Sequence, residues 1–293
     1  MGDHRARLAI VLTITTAVLV VEVIGSAMSG SLALLADAAH MLTDVAGLTL
    51  AFLASVLARR PASDQRTWGY RRAEVLAAAA QAGVLLAVGV FVLFEGVRRL
   101  VNPPEVTSGA MVVFGVIGLI GNGIGIAVLA GARGSNLNMR AAFLEVVNDA
   151  LGSVAVLAAA LVIAWTGWLR ADAIASLLIG ILIIPRTFNL LREAVNVLLE
   201  STPTGLELAQ VREHMLAMPH VHEVHDLHAS QVASGLPVLT AHVVVNEPCF
   251  HDGHLRTLLD ELQACLADHL DVAHSTLQFE ALGHSDHEYA THA

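Results

Sequence analysis

His40 and Asp44 stand four residues apart in an apolar run over residues 32–57, and Glu145 and Asp149 stand four apart in another over 141–168. On a helix that spacing puts both side chains on one face, one turn apart. Two such faces turned together present one imidazole and three carboxylates. Four N/O ligands suit a tetrahedral divalent cation such as Zn²⁺. An ionisable side chain at mid-membrane costs about 2.5–3.5 kcal/mol, and neither run contains Arg or Lys. Carboxylates in excess of cations cannot neutralise one another, so the cluster needs a metal ion or protons. A cation or proton pathway therefore fits better than a self-satisfied structural cluster. Asp37 lies one turn before His40. It is placed either to orient the imidazole from outside the ligand set or to cap the start of its helix. Spacing assigns no role to Glu22.

The elements that must carry these residues are membrane spans. Of 293 residues, 55% are hydrophobic and 14% charged, and the mean hydropathy is +0.66. Soluble domains carry about 25% charged residues. Six stretches, 8–28, 32–57, 75–94, 110–132, 141–168 and 174–191, come near the length of about 20 apolar residues that a span needs. The last contains Pro185 and Arg186 and is expected to continue as a helix towards Glu200. The first follows Arg5 and Arg7, is long for a signal-peptide core and lacks an A-x-A cleavage site, which predicts an uncleaved span. Eleven arginines fall on one side of the six spans, and Arg98, Arg99 and Arg170 on the other. The positive-inside rule then places both termini in the cytoplasm. Asn102-Pro103-Pro104 reads as an outer turn, residues 131–134 as a cytosolic loop, and the glycines of span four as close-packing positions.

The formal charge of −10 has a sharp boundary near Pro203. Residues 1–202 hold 14 Arg against 13 Asp and Glu, whereas residues 203–293 hold 2 Arg against 13 Asp and Glu, together with 13 of the 15 His. The acid balance excludes a nucleic-acid binder. Cys249 and Cys265 form no CxxC motif and no disulfide framework. His222-Glu223-x-His225 lacks the H-E-x-x-H spacing of a zincin, and there is no Walker A motif, so neither a metallohydrolase nor a P-loop ATPase is expected. Thr204 and Glu207 read as a capping box opening a helix to about residue 217. Strands are predicted over 224–232, 238–245 and 275–280, and a second helix over 253–269. The order αββαβ suits a small open sheet with helices on one face.

Gly30 to Asp44 reads G-S-L-A-L-L-A-D-A-A-H-M-L-T-D, Trp68 to Glu74 reads W-G-Y-R-R-A-E, Asp149 to Ser153 reads D-A-L-G-S, and His225 to His228 reads H-D-L-H. In this order, over nearly the whole chain, they resemble the cation diffusion facilitator family of zinc transporters. The resemblance implies a six-helix membrane domain over 1–202, a cytosolic α+β ferredoxin-like domain over 203–283 that binds metal and dimerises, and a disordered His-containing tail over 284–293. It implies a non-enzymatic, proton-driven exporter of Zn²⁺ in a bacterial inner membrane, working as a homodimer through the cytosolic domain and membrane helices. His40, Asp44, Glu145 and Asp149 match the transport site. His225, His242 and Glu280, with His254 as a further candidate, match a cytosolic regulatory metal site. His284, His287, His292 and His4 are at most loose metal collectors. Zinc members usually carry His in span five where Glu145 stands here, and carboxylates are harder ligands than imidazole. This admits Mn²⁺, Fe²⁺, Co²⁺ or Cd²⁺ as alternative cargo. It also leaves the loaded site net negative, so one ligand is expected to stay protonated. Segment 63–70, where some members bind metal, offers only Asp64 and no His, so no loop site is expected. A metal-sensing membrane scaffold is the other class of function.

Overall fold

The computed structural model describes residues 2–58, 60–131, 137–233, 235–272 and 274–284. Two compact units emerge: residues 1–52 with 77–191, and residues 53–76 with 192–293.

The first unit is helical. Its elements come from α1 (Gly2–Ser29), α2 (Leu32–Ala58), α3 (Ala73–Val101), α4 (Ser108–Ala130), α5 (Leu137–Thr166) and α6 (Arg170–Leu198). Among the described residues, five of these helices are long and apolar enough to cross a membrane: α1, α3, α4, α5 and α6. The second expected span forms as one continuous helix, α2, but is not among the five. α6 runs through Pro185 to Leu198, as its sequence predicts.

Ala33, Leu34, Met111, Val156, Ala160 and Ile179 form the shared core of the bundle. Close approach depends on glycine at particular crossings. A Cβ on Gly125 would lie 2.9 Å from Val146 Cγ1, and one on Gly121 would lie 2.3 Å from Val18 Cγ2. The start of α2 is held by a charge from α6. Asp172 is buried, and its carboxylate accepts hydrogen bonds from Ser31 Oγ, from Leu32 N at 2.8 Å and from Ala33 N at 3.2 Å. Arg99 lies 3.7 Å from the same carboxylate and donates to Gly30 O at 2.7 Å. The first amides of a helix have no internal partner, and a carboxylate there also meets the positive end of the helix dipole. Asp172, and not Asp37, therefore caps α2.

The second unit contains α7 (Leu208–Leu216), β1 (Val221–Ala233), β2 (Leu236–Val245), a 3₁₀ turn (Glu247–Phe250), α8 (His254–Leu270) and β3 (His274–Ala281). The sheet order is β1-β2-β3, antiparallel then parallel. This is the αββαβ order expected from sequence. The capping box does not form: Gly205 takes φ +90°, and Glu207 becomes the residue preceding α7, with no side-chain cap. Leu239, Ala241, Val243 and Val245 of β2 alternate onto one face, where they meet Val211 and Met215 of α7 and Leu258, Leu262 and Leu266 of α8. Segment 53–76 belongs with this unit. Trp68 packs edge-on against His274 with ring centroids 4.9 Å apart, and Arg72 pairs with Glu200 at 2.8 Å.

Replacing Asp172 by Ala strips three donors of their acceptor at a buried helix start. An unsatisfied buried group costs about 1–3 kcal/mol. Asp172→Ala is expected to lower the apparent thermal midpoint in detergent, with Asp172→Asn recovering part of the loss.

Candidate metal centres

In the membrane unit, α2 presents His40 and Asp44 on one face and α5 brings Asp149 against them. His40 Nε2 lies 3.7 Å from Asp44 Oδ2 and 3.9 Å from Asp149 Oδ1. One ligand atom from each of the three residues falls within 4.8 Å of the others. Asp149 is 1% exposed, and His40 and Asp44 are 12% and 18% exposed at the side chain, so the site is shielded yet not closed. Asp44 Oδ2, Asp149 Oδ1 and His40 Nδ1 are buried without a hydrogen-bond partner. Buried polar atoms are normally satisfied. An imidazole nitrogen and two carboxylate oxygens converging without donors between them form a donor set suited to a divalent cation.

Glu145 is placed differently from the other three. It lies near this group, but its Oε2 accepts a hydrogen bond from Arg186 Nη2 of α6 at 2.9 Å, and its Oε1 is buried without a partner. The absence of Arg from both ligand-bearing runs suggests an uncompensated cluster. Arg186 supplies the missing cation from a third helix, and nothing in local spacing reveals it. With Arg186 present, three carboxylates and a divalent ion balance, so the loaded site needs no retained proton.

Asp37 does not hold the His40 ring. It is buried and accepts a hydrogen bond from Ser153 Oγ at 3.4 Å, while His40 Nδ1 has no partner.

In the second unit, the sheet face away from α7 and α8 carries another cluster. His225 pairs across the ladder with His242, and their rings sit 5.1 Å apart. Glu280, buried on β3, bridges them: its Oε2 lies 3.0 Å from His225 Nε2 and its Oε1 lies 2.8 Å from His242 Nδ1. These three residues also converge within 4.8 Å. A register shift in β1 between His225 and His228 adds Asp226, at φ +46°, whose Oδ2 lies 3.7 Å from His242 Nε2. Asp226 is part of the H-D-L-H motif, but its place beside His242 depends on the bulge, which the motif does not disclose. His254 is elsewhere, with its ring edge-on to His220 at 4.8 Å. His284 is described; the side chain of His4 and residues His287 and His292 lie outside the described structure.

Residues 8–199 match the cation efflux transmembrane domain, and residues 203–282 match the cation efflux protein cytoplasmic domain. The chain belongs to the cation efflux family. That is the family to which the sequence motifs point, one of transporters, and its cytoplasmic domain is a dimerisation domain. Among family members, the metal cation efflux system protein CzcD of Cupriavidus metallidurans is 44% identical over 95% of this chain and 87% of its own length. The zinc transporter ZitB of Escherichia coli is 41% identical over 95% of this chain and 88% of its own. The cadmium, cobalt and zinc/H(+)-K(+) antiporter of Bacillus subtilis is 33% identical over 97% and 91%.

The geometry ranks the ligands. Removing a buried charged partner costs about 3 kcal/mol, on the order of 100-fold in affinity. Asp149→Asn is expected to weaken metal binding at the membrane site by that amount, and Glu145→Gln by about tenfold, as for a group beside the ligand set. Isothermal titration of the full-length variants with Zn²⁺ and Cd²⁺ measures both.

Proposed function

We propose that this protein is a divalent-metal/proton antiporter that exports its ion, Zn²⁺ foremost, from the cytosol by alternating access. The observation that carries the reading is the shielded triad His40, Asp44 and Asp149 with its unpartnered carboxylate oxygens, in a chain of the cation efflux family. The relatives named as zinc and as cadmium, cobalt and zinc transporters support divalent transition metals as cargo. Glu145, in the place where zinc members usually carry His, leaves Cd²⁺, Co²⁺, Fe²⁺ and Mn²⁺ as alternative substrates.

In this reading all six long helices span the bilayer. Residues 1–202 form the transport domain, and residues from 203 form a ferredoxin-like cytosolic domain. Both termini face the cytoplasm of a bacterial inner membrane, since the arginines concentrate on that side. The homodimer forms through the cytosolic domain and the membrane helices. His225, His242 and Glu280, with Asp226 beside them, hold a regulatory metal ion.

The exchange follows from ligand chemistry. A metal ion requires deprotonated ligands, so binding releases protons and proton uptake favours release. His40, Asp44 and Asp149 accept the ion on the cytosolic side. Protons from the outer side take its place, and the bundle returns carrying them. Arg186 holds Glu145 against the site and balances the third carboxylate. The direction of coupling has a definite sign: acid on the metal-loading side opposes loading, and acid on the release side assists it.

Proteoliposomes offered Zn²⁺, Cd²⁺, Mn²⁺, Fe²⁺ or Co²⁺ under an imposed pH gradient test the function. The parent protein is expected to move Zn²⁺ with opposite proton flow, more slowly as the loading side is acidified. Asp44→Ala and Asp149→Ala are expected to abolish transport. Full transport by either variant would exclude the triad as the pathway.

A further inference from the structure

Four polar residues on four helices meet beside the triad: Glu22 of α1, Asp37 of α2, Asn122 of α4 and Ser153 of α5. None is more than 1% exposed. Ser153 Oγ lies 3.5 Å from Glu22 Oε1 and 3.4 Å from Asp37 Oδ2, and it accepts a hydrogen bond from Asn122 Nδ2 at 3.2 Å. A hydroxyl has one proton to give, so Ser153 serves one carboxyl and leaves the other oxygen without a donor. Glu22 Oε2 and Asn122 Oδ1 have no partner at all. The cluster is rich in acceptors and short of hydrogens.

Charge points the same way. α4 brings no ionisable residue. α5 brings a third acid, Asp149, one turn before Ser153. Beyond it stand His40, one turn along α2 from Asp37, and Glu145, one turn before Asp149 and paired to Arg186. Two buried carboxylates with a third nearby cannot all be ionised, and adjacent acids resolve this by sharing a proton. The space is shaped for carboxyl groups. A Cβ on Gly118 would lie 2.5 Å from Glu22 Oε1, and one on Gly152 would lie 2.2 Å from Asp37 Oδ1. Both oxygens rest against bare backbone, with no gap on that side for a coordinated metal, and no imidazole belongs to the group.

We propose that Glu22 and Asp37, bridged by Ser153, form a second proton-binding site that loses its proton when metal occupies the triad and recovers it when the metal leaves. The proposal rests on the reading of His40, Asp44 and Asp149 as the transport site. Asp37 and Ser153 lie one helical turn from His40 and Asp149, about 5 Å along each axis. A divalent ion at the triad therefore repels a proton on the pair, and by linkage a proton on the pair opposes the metal. This second proton has a place apart from the metal ligands, shared between α2 and α1, the latter a helix that supplies none of them.

The test counts protons released as Zn²⁺ is added to the full-length protein in weakly buffered detergent solution. Glu22→Gln is expected to bind Zn²⁺ with the parent's stoichiometry and to release about one proton fewer per protein. The cytosolic site contributes equally in parent and variant and drops out of the difference. Infrared difference spectra on Zn²⁺ addition are expected to show a protonated-carboxyl band vanishing in the parent and no such loss in the variant. If Glu22→Gln does not fold, Asp37→Asn gives the same two readings. An unchanged proton count, or a carboxyl band indifferent to Zn²⁺, would overturn the proposal. Zinc affinity at the membrane site unaffected by Asp149→Asn would instead overturn the transport-site reading, and this one with it.

Discussion

A charge inside an apolar helical body must be paired, protonated or put to use, and the membrane unit is organised around that demand. Its buried ionisable groups are resolved in different ways. Asp172 spends its charge on the first amides of α2, with Arg99 beside it. Glu145 meets Arg186. Asp44 and Asp149 keep buried oxygens without donors, which leaves their balance to a proton or a cation.

The same demand explains why the packing is tight where it is. α4 contributes no ionisable side chain, yet Gly118 admits Glu22 of α1, and Gly152 of α5 admits Asp37 of α2. Small residues let backbones approach, and here the room they leave is taken by carboxyl groups. In the second unit the core and the metal-capable cluster divide the sheet between them. Alternation in β2 sends Leu239, Ala241 and Val243 to the helices and His242 to the other face. The register shift in β1 then turns Asp226 towards His242. Glu280 takes part from β3 while staying 2% exposed at its side chain.

Much of the local structure was legible in the sequence. The apolar runs predicted α1 to α6 to within a few residues, except that α1 starts well ahead of its run and α3 ends seven residues beyond its own, and the alternation and turn residues predicted β1, β2, α8 and β3. The failures were local conflicts. Thr204 and Glu207 carry the letters of a capping box, but the left-handed Gly205 ends the extended approach a box requires. Asp37 lies where a residue orienting His40 would lie, but its partner is Ser153, 116 positions away.

Spacing alone determined that His40 shares a helix face with Asp44 and Glu145 with Asp149, because helical periodicity is a property of neighbouring residues. Composition alone determined that these faces lie in apolar runs, with an acidic, His-rich segment after Pro203. Only the tertiary structure decided which faces meet. It selected Asp149 over Glu145 for the triad, because Arg186 lies 41 residues from Glu145 in the chain and yet within hydrogen-bonding distance. It gathered His225 and Glu280 across 55 residues and kept His254 away. It also joined Glu22 to Asp37 through one hydroxyl. Each of these is a contact between distant segments, set by helix packing and strand register, and no local pattern of residue types encodes it.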